Sequence, residues 1–228
     1  MILSAHQPAY LPWLGYLDKI ARADVFVFLD TVQFEKNSFI NRNRIKTPQG
    51  IQWLTVPVKM KGHLSATLRE TAIDPVQPWR SRHLKTIAMN YGRATHYTAC
   101  AAGLEALFAG SEERLTELCW EQLGFWMRQF GIATRVVRSS ELGLASTKSE
   151  LVLDLCRTLG ADRYVSGALG RGYLIEEDFR AAGITVEYQS YTSPVYPQLW
   201  GGEFVPNLSV IDYWMNCGAN ADLFREHA

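Results

Sequence analysis

His6 and Gln7 follow a short apolar run, Met1 to Leu3, that reads as a strand, and they stand directly before Pro8. An imidazole titrates near neutral pH and can serve as general base or acid. A carboxamide beside it can orient a carbonyl, an amide or a sugar hydroxyl. Tyr10 comes next, and Trp13 follows Pro12. Two prolines this close exclude a regular element between them. All four side chains are therefore predicted on a stiff loop at a strand end, and in open α/β sheets ligands bind at that place.

Asp30 closes a second apolar run, Ala23 to Leu29. A carboxylate there can orient His6, hold a ribose or sugar hydroxyl, or hold a metal, and it can equally cap a turn. Gln33, Lys36, Asn37, Asn41, Arg42, Asn43 and Arg44 come next. Arginine binds phosphate or carboxylate in a fork, and asparagine adds neutral hydrogen bonds. This mix suits the diphosphate of a sugar nucleotide or a phosphorylated lipid carrier; a solvated loop is the alternative.

A third group runs from Ser166 and Gly167 through Arg171 to Tyr173. Small residues between a strand and a helix let backbone N–H groups approach an anion. No Gly-Lys-Ser/Thr follows, so this is not a phosphate loop of the Walker type. Gln198, Asn207 and Asp212 form a fourth group. Asp212 lies in the first turn of a helix that Ser209 would cap, which is a sufficient structural role for it. The chain has no GxSxG, HExxH or calcium-loop pattern.

The elements that must position these residues alternate. Residues 1–30 read as strand, helix (Trp13 to Ala21) and strand, a βαβ unit. Residues 31–48 are polar and read as irregular, Ile51 to Val58 as a third strand. Helices are predicted at Trp79 to Met89, Cys100 to Phe108 and Ser111 to Phe130, the last capped by Ser111-Glu-Glu. Strands at Thr134 to Arg138, Tyr164 to Ser166 and Ile184 to Tyr188 then alternate with helices at Ser149 to Leu159, Tyr173 to Ala182 and Ser209 to Cys217. The pattern predicts an α/β fold: a mostly parallel sheet flanked by helices, with a helical insertion around 75–130.

With 228 residues, 47% of them hydrophobic, a sizeable core is available. The 23 basic and 23 acidic residues balance, which argues against nucleic acid as a partner. The N-terminal residues lack the basic start of a leader, and no apolar run is long enough to span a membrane, so a cytoplasmic protein is expected. Cys100, Cys119, Cys156 and Cys217 show no metal-binding spacing and are expected as reduced, mostly buried thiols. The residues name no cofactor, and the need for ATP or a metal stays open, as does the oligomeric state.

The pattern HQPxYLPWxGY at 6–16, QFxKxSxxNRNxI at 33–45, SGALGRGYL at 166–174, Tyr196-Pro-Gln198 and FVPNLSVIDYWMNCG at 204–218 resemble the WbqC-like family of bacterial proteins. The resemblance covers most of the chain. It implies one WbqC-like α/β domain over 1–228, with a possible helical subdomain at 75–130, and an association with surface-polysaccharide and O-antigen gene sets. Together with the site chemistry, it leads to an expected transferase acting on a sugar or sugar nucleotide, by acyl or aminoacyl transfer to an amino sugar. His6 would be the base, Asp30 its orienter, and the other residues contacts to a phosphate-bearing substrate. A nucleotidyltransferase or ATP-dependent ligase, and a non-catalytic nucleotide-sugar-binding protein, are the alternatives.

Overall fold

The run Val25–Phe28 is buried at all four positions, so it must be an inner strand of a sheet covered on both faces. The computed structural model describes residues 1–36, 38–59 and 67–227. In chain order its strands and α-helices begin with β1 (Ile2–His6), α1 (Leu14–Ala21), β2 (Val25–Phe28), β3 (Arg42–Thr47) and β4 (Gly50–Thr55). Next come α2 (Trp79–Tyr91), α3 (Tyr97–Phe108), α4 (Leu115–Gln129), β5 (Arg135–Arg138) and α5 (Lys148–Leu159). The chain closes with β6 (Arg163–Ser166), α6 (Glu176–Ala181), β7 (Thr185–Tyr188) and α7 (Val210–Cys217).

Five strands form one parallel sheet in the order β5-β2-β1-β6-β7. Side chains alternate across it, as the strand period requires. Phe26 and Phe28 enter a core shared with α1, α2, α3, α4 and α7, whereas Leu3, Ala5, Val25 and Val27 enter a second core under α5 and α6. The chain winds outward from β1 through β2 to β5, and then outward on the other side from β6 to β7. The order therefore reverses between β1 and β6, whose C-terminal ends flank the crevice where open α/β sheets bind ligands.

The expected α/β fold is the one observed, with α2, α3 and α4 inserted between β4 and β5. Two local expectations are corrected. Arg42–Thr47, predicted irregular, is β3, and the strand predicted at Ile51 to Val58 pairs antiparallel with it as β4 instead of joining the main sheet. Ile45 and Leu54 are buried on one face of this hairpin, while Arg42, Arg44 and Lys46 share the other. Strong polarity at alternate positions of β3 hides its period. The helix predicted from Ser111 starts at Leu115. The preceding residues are extended, with Ala72 bridging Arg114 and Ile73 N donating to Glu113 O. Among the described residues, no helix is long and apolar enough to cross a membrane.

Candidate functional site

His6 is the last residue of β1, at the sheet edge where the strand order reverses. Its Nδ1 lies 2.9 Å from the Gln7 carbonyl oxygen. A carbonyl can only accept, so Nδ1 carries the proton and Nε2 presents a lone pair. Burial, reinforced by the charge of Lys19, lowers the His6 pKa to about 3, so the ring is neutral at ordinary pH. It packs edge-on against Tyr16 at 5.0 Å and Trp13 at 5.8 Å. The loop that follows is held from three sides. Asn43 Nδ2 donates to Leu11 O at 2.7 Å, Gln122 Oε1 accepts from Leu11 N at 3.2 Å, and Val210 N donates to Pro12 O at 2.6 Å. These contacts fix Leu11 at φ 42°, a strained conformation for a residue other than glycine.

Lys19, which the sequence reading did not select, projects from α1 into the same place. It is only 4% exposed, and its Nζ donates to the Ala5 carbonyl at 2.8 Å. Gly167, just after β6, faces it: a Cβ built there would lie 3.7 Å from Nζ. Lys19 thus spans the switch point from β1 to the β6 loop. Burial lowers its pKa to about 7.

Asp18, Asp30, Lys46 and Asp212, buried to a similar degree, each have two or more partners. Asp18 accepts from Arg22 and Gln189; Lys46 donates to Gln198, Gly201 and Glu203. Asp30 accepts from Ser139 Oγ, Ser140 N and Ser140 Oγ at 2.7–2.9 Å. Asp212 accepts from Tyr91, Tyr196 and Gln198 at 2.6, 2.9 and 3.1 Å. Lys19 alone keeps a single acceptor for three N–H bonds among the described residues. Lys19 sits in a short helix whose residues from Leu14 to Ile20 are all buried.

From His6 an aromatic line runs outward. Trp13 meets Phe39 at 5.4 Å, and Phe39 meets Trp53 at 5.8 Å. Phe39 and Trp53 are 37% and 40% exposed, which is unusual for rings of this size in mutual contact. Two guanidiniums lie on them: Arg42 stands 4.2 Å over Trp53, and Arg44 stands 6.0 Å from Phe39 and 5.8 Å from Trp53. Arg44 also donates to Asn207 O at 3.2 Å. The result is a half-exposed surface of rings and cations beginning at the crevice.

The remaining predicted residues separate by position. Gln7 is half-buried beside His6, and its carbonyl also accepts from Tyr16 OH at 3.2 Å. Ser166 is buried with its Oγ donating to Gly167 O. Arg171 stacks 4.0 Å over Tyr188, and Tyr173 is 44% exposed, so both lie on the rim of the β6 loop. Gln33 and Lys36 are exposed on the stretch after β2. Asn37 lies outside the described residues. Asn207 is exposed, at φ 55°.

Five expectations are corrected. Asp30 does not orient His6: both its oxygens cap the 3-10 turn Ser139–Glu141, which they fasten to the end of β2. Tyr10 is wholly buried, with its OH 2.7 Å from His83 Nδ1, so it is a core residue and offers nothing to a ligand. Asn43 is buried and positions the loop through Leu11. Asp212 and Gln198 bond to each other and to Tyr91, Tyr196 and Lys46, an internal network that ties α7 to α2 and β3. A separate groove of about 650 Å³ is lined in part by Ile73, Trp79, Arg80 and Glu112. Arg80 is paired there with Glu112 at 2.6 Å and stacked on Trp79, and Lys59, Glu113 and Arg114 also line the groove.

Residues 7–223 match the model of the WbqC-like protein family. The chain is also 39% identical, over 94% of its length and 93% of the relative's, to the uncharacterized protein Rv1507c of Mycobacterium tuberculosis (strain ATCC 25618 / H37Rv). No solved structure matches it.

Proposed function

Since the chain belongs to the WbqC-like protein family, we propose that it transfers an acyl or aminoacyl group to the amino sugar of a sugar nucleotide in surface-glycan biosynthesis. The observation that carries this reading is the junction of three features at one sheet edge. His6, Lys19 and Gly167 meet at the switch point, and the Phe39–Trp53–Arg42–Arg44 surface begins beside them. Cations suit the phosphates, and half-exposed rings suit the flat faces of a base or a sugar. In the reaction the amine lone pair would attack the acyl carbon, and the leaving group would depart with its bonding electrons and take up the proton that the amine sheds. His6 Nε2 would accept a hydrogen bond from the attacking amine and orient it. With a pKa of about 3, the imidazole is better suited to aim that proton than to keep it. The whole chain acts as one domain in this reading, and a cytoplasmic setting fits the substrate.

The low basicity of His6 also favours a second reading, a protein that binds a sugar nucleotide without turning it over. Calorimetry with nucleoside-diphosphate amino sugars tests both. Replacing Arg42 and Arg44 by alanine should weaken binding, each lost charge-assisted contact being worth about 1.5–3 kcal/mol. Unchanged affinity in the double variant removes the surface from the site. Incubation with acyl thioesters and aminoacyl esters, followed by mass analysis of the sugar, separates transfer from binding alone.

A further inference from the structure

We propose that Lys19 is the anion anchor of the crevice, binding a phosphoryl oxygen of the substrate and taking up a proton as it does so. The proposal deepens the sugar-nucleotide reading and rests on it for the identity of the anion. Its own basis is geometric. Lys19 Nζ is buried at the switch point, has one carbonyl acceptor, and faces a residue with no side chain. A lysine in a fold that merely needs an amphipathic stem would extend its head to water. This one turns inward, and the two N–H bonds left over have no acceptor among the described residues.

The charged groups around it do not compensate it. From β1 comes His6, whose Nδ1 already donates to Gln7 and which repels the ammonium when charged. From α1 come Asp18 and Arg22, bonded to each other, with Asp18 also accepting from Gln189. The β6 loop contributes Ser166 and Gly167, neither charged. An oxyanion entering between His6 and Gly167 would give the ammonium the negative partner it lacks. Binding and protonation are then linked, because the anion favours the charged form.

Sulfate tests this, since its charge is constant between about pH 6 and 9 and any pH dependence belongs to the protein. With free Lys19 titrating at about 7, binding should take up ~0.9 proton at pH 8 and ~0.1 at pH 6. Sulfate affinity of the native chain should therefore fall by close to tenfold per pH unit above about pH 7.5. Lys19→Arg, which stays charged, should bind with no such slope. Lys19→Met should lose at least about tenfold in affinity at pH 6.5 and lose the slope as well. Arg42→Ala with Arg44→Ala should keep the slope. A Lys19→Met protein that binds sulfate with native affinity and slope overturns the proposal.

Should either variant fail to fold, lysine side-chain NMR of the native chain decides. A resonance titrating near pH 7 that sulfate shifts upward supports the anchor; no such resonance, or one indifferent to sulfate, refutes it. The two levels fail separately. Sulfate held by Lys19 without any sugar-nucleotide binding leaves the anchor and removes the proposed substrate. Sugar-nucleotide binding that survives intact in Lys19→Met removes the anchor and leaves the substrate.

Discussion

Replacing Lys19 by methionine should make this protein more stable near neutral pH. The two side chains are similar in length and volume, so the packing around α1 survives. What changes is the charge. Burial moves the Lys19 pKa from 10.5 to about 7, and each unit corresponds to about 1.4 kcal/mol, so holding the ammonium inside the fold costs at most about 5 kcal/mol. Loss of the bond from Nζ to Ala5 O offsets roughly 1 kcal/mol of the gain. A net stabilisation of about 2–4 kcal/mol at pH 6.5 follows.

Its pH dependence has a fixed sign. Between about 7 and 10.5 the unfolded chain binds a proton that the folded chain releases, so native stability rises with pH across that window. Below pH 7 both states are protonated and the penalty is felt in full. Methionine has no such window, so the gap between the two proteins should close toward pH 10. Urea unfolding at pH 6.5, 8 and 9.5 reads this directly, with unchanged m-values as the control. Parallel stability profiles for the two proteins, or a methionine variant less stable at every pH, would show that Lys19 is compensated in a way the structure does not contain.

Other perturbations follow from the same contacts. His6 and His83 titrate at about 3 and 4 in the fold against 6.5 unfolded, so stability should fall as pH drops below 6.5; His6→Gln should remove up to one proton's share of that slope in acid denaturation. Asp212→Ala leaves Tyr91, Tyr196 and Gln198 without their shared acceptor in a buried site and should cost about 3–5 kcal/mol in chemical unfolding, whereas Asp212→Asn should cost less. Gly218→Ala must place a Cβ at φ 78° and 2.8 Å from the His96 ring, so the melting temperature should drop by several degrees. Among the four free thiols Cys217 is the half-buried one, and alkylation of the native protein followed by mass mapping should find it modified before Cys100, Cys119 and Cys156.

The parallel sheet was legible because its strands are short, apolar and separated by periodic helices. Val25–Phe28 announces burial on both faces, and α5 and α7 end at Gly160 and Gly218, close to the predicted helix ends. Ser209 caps α7 as its type and place suggest. The β3–β4 hairpin was half legible. Its second strand was read correctly, but its first carries Arg42, Arg44 and Lys46 on one face, and long cations at alternate positions look like a loop until a partner strand is known. The start of α4 was misread for a related reason. Ser111-Glu-Glu has the composition of a cap, yet tertiary pairing with Ala72 and Ile73 holds that stretch extended.

At the site, residue type revealed which groups can do chemistry but not which are available to do it. Asp30 and Asp212 were the carboxylates at the expected sheet edge and helix start, and each is fully committed to neighbours distant in sequence. Ser139 lies more than a hundred positions from Asp30, and Tyr91 is farther still from Asp212, so no local pattern could have announced either partner. Lys19 is the opposite case. Its position on α1 suggests a solvated flank, and it becomes conspicuous only when the β6 loop closes over it and brings Gly167 instead of a carboxylate. A folded chain satisfies its buried charges wherever nothing else requires them unsatisfied. Of the buried charged side chains described here, the one left with a single acceptor lies at the place where the sheet order reverses. That coincidence of an energetic defect with a topological binding position makes the crevice, more than any residue type in it, the feature on which the function of this chain turns.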